Sequence, residues 1–516
     1  MKKIVIIILS CCFSTLSFGQ LLNPQPKEMT EKFFPDLDVE LKTTAFKKEK
    51  GFTKYDEMMA FLKPIVDQNS DLIKMSFVGE SQKGLKVPML YINKDNDIKD
   101  KVKVWLQGGL HGDEPASTEG ILWLIHQLFN TDKYEYLLDR LEIGIIPMAN
   151  VDGYNIQLRD AVNGLDLNRD QTKLNIKESK FLKQSFTDFE PDVAVDFHEY
   201  RAFRRDFVHF GEYGVTNPND VMFLYSGNLN VPKNLRDFTQ NTFVNNAKNA
   251  LKEKDLRVFN YFSTSDCQGY TCFNMGSINA RASASSYALA NTISTLVEVR
   301  GVALGRTSFK RRTMTTFWTA VSYLETAHQN HDQVKKVIKT AISSNHDVVA
   351  KSKRSVSKYN MPMIDIASNA IIKPEIILRN ALESQAVLSR ERPTAYLILP
   401  EEKELVKKLK ILGLHVQKLQ EDQSITVESF KVTEYYKDLH KYEGVHRQEI
   451  STAVNTLNKE FPEGTSIVYL DQRFANLAVA TLEPEAPNSF ISFNVLTTAL
   501  GQELPYYRYM KSKKFN

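Results

Sequence analysis

The sequence predicts an α/β fold with a mixed, mostly parallel sheet, followed by a smaller C-terminal α/β module. Three observations lead there. Short apolar runs of buried type alternate with amphipathic helical stretches between residues 50 and 330. Polar residues suited to chemistry cluster just past the ends of those runs, where open α/β sheets gather their ligands. The texture then changes near residues 342–360 to the polar, basic SSNHDVVAKSKRSVSK, which reads as a linker or boundary.

In order, apolar residues from Tyr55 through Met58, Met59, Phe61 and Leu62 to Ile65 keep helical spacing. SFVGES and LKVPMLYI read as two strands joined by the polar turn QKG. KVKVWL reads as a strand ending at Gly108-Gly109, and PASTEGILWLIHQLF, with Pro115 at its start, as a helix. LEIGIIPM, PDVAVDF and TISTLVEV are further strands of the buried kind. Beyond residue 360, TAYLILP, SITVESFKVTEYY and SIVYLD are strand-like, Glu401 to Leu412 is helical, and the chain ends in the tail YYRYMKSKKFN.

Bulk properties narrow the class. A chain of 516 residues implies two or three domains, and 42% hydrophobic with 25% charged residues is globular composition. MKK, the apolar IVIIILSCCF and the small-residue STLSFGQ read as a secretory signal peptide over residues 1–19. Anchoring through Cys11 as a lipoprotein is the lesser alternative. No later run approaches the roughly 18 apolar residues of a membrane span, so the mature chain is expected to be exported and to carry no transmembrane segment. Cleavage would take the net charge from +4 to +2, with 64 basic against 62 acidic residues, which leaves no footprint for nucleic acid. Cys267 and Cys272 would then remain, and in an oxidising compartment they favour a local disulfide over two free thiols. The sequence is silent on oligomeric state.

The stretch GGLHGDEPAS poses the chemical question, because His111 and Glu114 lie three apart on a turn after a strand. A His and a Glu so spaced can reach one ion, and a third ligand from a distant strand would close the site. Among the ten histidines, His198, at the end of DVAVDFHEY, is the best placed. His126, inside an apolar helix, reads as a core residue. HxxE alone is a weak signal. Its company is NVDG at 150–153, GLDLNRD at 164–170 and VEVRG at 297–301. Each has a bland reading by itself: Glu298 paired with Arg300, Asn168 and Arg169 capping a turn and pairing with Asp166 or Asp170, and Asn150 and Asp152 as turn residues.

HGDE, NVDG, DLNRD, DFHE and LVEVR, in this order, resemble the zinc carboxypeptidases related to the pancreatic digestive enzymes, here as an exported bacterial member; GESQKGLKVPML is similar to that family's approach to its first ligand strand. The resemblance implies a three-layer α/β/α catalytic domain over 49–341, after an N-terminal extension at 20–48 and before the module at 342–516. It implies one Zn2+ per chain held by His111, Glu114 and His198. It also implies Glu298 as general base and acid, and Arg159 as the group that stabilises the oxyanion. Asn168 and Arg169 would bind the carboxylate of a peptide substrate. The residue types suit these tasks: zinc activates water and polarises a carbonyl, a carboxylate shuttles the proton, and a guanidinium fork clamps a carboxylate.

The chain also departs from the pattern. Asp113 stands between the ligands where the digestive members carry a basic substrate contact. Tyr287 is the available candidate for the tyrosine that covers the substrate. Arg281 falls near the stretch lining the side-chain pocket, and pointing inward it would favour an acidic leaving residue. Glu199 would orient a ligand or face solvent. Only about thirty residues lie between the signal and the first helix, so activity is expected without proteolytic activation. Besides a metallocarboxypeptidase, two alternatives stay open: a zinc deacylase or amidase acting on a small carboxylate-bearing substrate, and a catalytically silent peptide-binding homologue.

Overall fold

The computed structural model describes residues 25–98 and 100–515. The targeting segment read at 1–19 lies outside them. An eight-stranded sheet forms the centre, with strands β1 (Ile73–Glu80), β2 (Lys86–Ile92), β3 (Val102–Gln107), β4 (Leu141–Ile146), β5 (Val193–Tyr200), β6 (Val221–Tyr225), β7 (Val258–Asn260) and β8 (Ile293–Arg300). In space they run β1-β2-β4-β3-β5-β8-β6-β7. The pairs β3–β4, β3–β5, β5–β8 and β6–β7 are parallel, whereas β1–β2, β2–β4 and β8–β6 are antiparallel. The mixed, mostly parallel sheet is therefore as expected. β5 sits at its middle with every residue buried, apolar at its start and carrying the buried Asp196, His198 and Glu199 toward its carboxyl end.

Helices cover both faces. α1 (Tyr55–Gln68), α2 (Pro115–Asn130), α3 (Lys177–Phe189), α4 (Ser283–Leu289), α5 (Phe309–Gln329) and α6 (His331–Ile342) are the main ones. α2 packs on α5, and α5 on β3, β4 and β5. α3 and α4 meet through stacked Phe186 and Tyr287 rings, 4.0 Å between centroids. From β3 the chain crosses by α2 to β4 on one side, then by α3 back to β5 on the other. This reversal opens a crevice at the carboxyl ends of β3 and β5.

The C-terminal portion holds a six-stranded sheet, antiparallel throughout, with two helices, Lys403–Ile411 and Ala475–Leu482. These helices pack on α3 and α4 respectively. One reading needs correction. The stretch 342–360 is no linker: Val348–Asn360 is a strand paired with Glu375–Arg390, which in turn pairs with Tyr270–Met275. Most of that strand is partly or fully exposed, so no buried face betrayed it in the sequence. Near the end of the chain Glu503–Tyr509 forms a strand running between Ala395–Ile398 and Gln423–Lys437. Cys267 and Cys272 are joined by a disulfide, the first of the two expected states.

Candidate metal centre and active site

His111 and Glu114 lie on the loop that leaves β3, and Pro115 opens α2 directly after them. That loop lies against backbone: a Cβ on Gly112 would come 2.2 Å from the Gly153 carbonyl carbon and 2.3 Å from the Leu158 carbonyl oxygen. The glycine of HGDE is thus required by close approach, which sets both ligands in place. His198 comes from β5, and Glu298 stands beside it in register on β8.

The ligand candidates converge. His111 Nδ1 is 2.8 Å from Glu114 Oε1, His198 Nδ1 is 2.8 Å from Glu114 Oε2, and the two Nδ1 atoms are 3.0 Å apart. One donor atom from each residue lies within 4.8 Å of the others, and all three side chains are buried. Carboxylates stand behind both rings: Asp166 Oδ1 at 3.0 Å from His111 Nε2, and Asp196 Oδ2 at 2.9 Å from His198 Nε2. Each Nε2–H donates outward, which leaves two Nδ1 lone pairs and a carboxylate facing one point. Such a donor set repels itself unless a cation sits among it, and two nitrogens with one carboxylate are zinc chemistry. The residues present fit the metal.

A cavity of about 420 Å³ opens beside them, lined among others by Glu298, Arg159, Asn168, Arg169 and Arg281. Burial, then the neighbouring Glu114 charge, pushes the Glu298 carboxyl up to about 7. Arg300 is no partner for it, because that guanidinium donates to Gln25 and Thr216 and also hydrogen-bonds the Asn217 carbonyl. Arg159 reaches Glu114 at 3.2 Å and Asp166 at 2.9 Å. Asn150 fixes the loop carrying Arg159: its side chain accepts from Gly153 N and donates to the Arg159 and Asp160 carbonyls. Asp152 accepts from Ser81 and Lys83, a structural role as expected.

Asn168 Oδ1 accepts from Ser283 N at 2.8 Å, tying its loop to α4. Arg169 donates to the Asn168 carbonyl and makes no ion pair among the described residues, so the bland pairing with Asp166 or Asp170 is not what the fold builds. Asp113 lines the cavity half-buried, and burial followed by the Glu114 charge raises its carboxyl. Glu199 takes the orienting role: its backbone N–H donates to Glu114 Oε2, while its carboxylate is held by Arg312 and Ala116 N.

Tyr287 does not belong to this site. It is 2% exposed, packs on Phe186 and hydrogen-bonds Gln107, because its turn of α4 faces the sheet. Two other tyrosines line the cavity: Tyr200, whose hydroxyl donates to the Asn219 carbonyl, and Tyr261, whose hydroxyl is pushed up to about 12 by burial and by the Glu298 charge. Sequence reasoning also missed Asp166 and Asp196. The second had a signal, since D-x-H on a strand puts both side chains on one face.

Residues 58–216 match the Peptidase_M14 family, the zinc carboxypeptidases. Carboxypeptidase 2 of Trichophyton rubrum is 28% identical over 529 residues, covering 97% of each chain. Carboxypeptidase 2 of Trichophyton equinum is 28% identical over 525 residues, again covering 97% of each. Both relatives are fungal and lend no support to a bacterial source. The solved carboxypeptidase A of Helicoverpa armigera is 17% identical, covers 55% of this chain and 78% of its own, and has a TM-score of 0.42.

Proposed function

The chain carries a domain of the zinc carboxypeptidase family and is a metallocarboxypeptidase, and from that premise we propose how its residues divide the work of removing the last residue of a peptide. When bound by His111, Glu114 and His198, zinc supplies Lewis acidity toward the scissile carbonyl and lowers the pKa of water. Arg169 and Asn168 hold the terminal carboxylate, which fixes the last peptide bond next to the ligands. Glu298 takes the proton from the attacking water and returns it to the departing amine nitrogen; a carboxyl poised near neutrality suits both transfers. Arg159 donates to the oxygen on which negative charge develops. Asp166 and Asp196 keep the ligand imidazoles in the tautomer that presents Nδ1.

The observation that carries this reading is the meeting of two buried ligands from one loop with a third from a distant strand, on a cavity that also holds Glu298 and Arg169, which has no ion pair among the described residues. A silent binding homologue would have no use for a proton shuttle there. A small-substrate amidase would use the same residues, so substrate decides between them. Digestion of a peptide library, read by mass spectrometry, is expected to shorten peptides one residue at a time from the C-terminus. Turnover of N-acyl amino acids without peptide shortening would favour the amidase instead. Export belongs to the same proposal, supported by the signal-like N-terminus and by the Cys267–Cys272 bond, which suits an oxidising compartment.

A further inference from the structure

The wall of the cavity is rich in guanidinium groups. Besides Arg159 it presents Arg169, Arg201, Arg204, Arg281 and Arg354. Of the acids on the same wall, Glu114 is engaged by the two imidazoles and Arg159, and Glu199 by Arg312, which leaves Asp113 as an acid with no ion pair among the described residues, facing several arginines. Glu298 is the proton shuttle. The arginines are not matched. Arg169, Arg281 and Arg354 form no ion pair among the described residues, and Arg204 has only a long one, 3.8 Å to Asp206. Half-buried guanidiniums left without a counter-charge are unfavourable, and their planar forks are shaped for carboxylate. One of them is satisfied by the terminal carboxylate. The others still face the same space.

Two of these groups are positioned by the C-terminal portion. Arg354 lies on the strand Val348–Asn360 and donates to Asn274 Oδ1 at 2.6 Å. Arg281 stacks on Tyr442, 4.9 Å from the ring centroid, and hydrogen-bonds its hydroxyl, while its Nε is buried without a partner. Tyr442 belongs to the loop joining Gln423–Lys437 to Gln448–Phe461, and that loop reaches the residue behind a metal ligand: Glu443 accepts from Asp166 N at 3.0 Å. Residues of the C-terminal portion are thus in direct contact with the loop behind His111.

We propose that this arginine-lined chamber, completed by Arg354 and Tyr442, selects peptides whose last residue carries a second carboxylate, glutamate or aspartate. The selection rests on the carboxypeptidase reading and refines it. The terminal carboxylate engages Arg169, and the side-chain carboxylate engages Arg281 and Arg354. Tyr442 holds the Arg281 guanidinium in place from behind and is a positioning residue, not a catalytic one.

The test uses the zinc-loaded full chain and four peptides identical except for a last residue of Glu, Gln, Leu or Arg. The expected kcat/KM for Glu exceeds that for the near-isosteric Gln by at least about 100-fold, the discrimination that a site built for a polar group gives against an analogue lacking its charge. Arg281→Gln and Arg354→Gln are each expected to cut the Glu:Gln ratio at least tenfold. In the Glu298→Gln background, calorimetry should find the Glu peptide bound more tightly than the Gln peptide, a readout independent of turnover. Equal hydrolysis of Leu, Gln and Glu peptides overturns the selectivity while the carboxypeptidase reading stands. Failure to shorten any peptide overturns both. A Glu preference that survives in both arginine variants overturns the assignment to these residues.

Discussion

Asp196→Asn removes a carboxylate from behind the metal site without touching the cavity wall. Asp196 is 1% exposed and has two partners, His198 Nε2 at 2.9 Å and Gln107 Nε2 at 3.1 Å. An asparagine can face the imidazole with its oxygen or with its NH2. With the oxygen inward, its NH2 meets that of Gln107, which must turn over and give up its bond from the Tyr287 hydroxyl. With the NH2 inward, His198 must carry its proton on Nδ1, the atom aimed at Glu114 and His111, and it ceases to be a ligand. The milder outcome exchanges a charge-assisted hydrogen bond for a neutral one, a loss of about 1–1.5 kcal/mol. Adding the lower basicity of the ring gives an expected weakening of zinc binding by about 10- to 100-fold, or roughly 1.4–2.7 kcal/mol. Competition against a chromogenic chelator measures it, with the melting temperature as a control for folding. Zinc affinity within twofold of the parent, in a variant that melts normally, would refute the idea that this carboxylate sets the tautomer.

Glu298→Gln should lower kcat/KM by about 10²- to 10⁴-fold while one zinc per chain is retained by elemental analysis; near-parental activity would remove the proposed proton shuttle. Gly112→Ala drives a methyl into the backbone at Gly153 and Leu158, and thermal melts should register a loss of at least about 1–3 kcal/mol; an unchanged melt would contradict the packing of the ligand loop. Lys183 is fully buried against Ser286, and burial depresses its ammonium from 10.5 to about 7. Between those values the unfolded chain binds the extra proton, so parental stability rises with pH through this window, by at most about 1.4 kcal/mol per unit. Lys183→Met lacks that slope. Its advantage in urea unfolding should be greatest below pH 7 and shrink toward pH 10, and a difference that is flat with pH would count against the buried charge.

Six of the eight strands of the central sheet were legible, most of them because both faces are buried, whereas Val221–Tyr225 and Val258–Asn260 went unread. β5 is the extreme case, with no residue exposed, although it also carries Asp196, His198 and Glu199. Val348–Asn360 was illegible for the converse reason, since a mostly exposed strand reads as polar chain in general. The metal ligands were legible because HxxE on a turn after a strand, a weak signal alone, came with a histidine at another strand end and with NVDG, DLNRD and LVEVR in the order of the zinc carboxypeptidases. Asp166 and Asp196 act through those ligands, and an acid two residues from any landmark is common. Tyr287 failed because distance along the chain says nothing of which way a helix turns its face. Arg354 and Tyr442 could not be read at all, as they reach the site from the far end of the chain and only the tertiary fold brings them there.

The convergence of residues 111, 114 and 198 on one ion is tested most directly by anomalous diffraction at the zinc edge from crystals of the zinc-loaded protein. The expected result is a single strong peak per chain, about 2 Å from His111 Nδ1, His198 Nδ1 and the Glu114 carboxylate. A peak held by other residues, or none between these three, would contradict it.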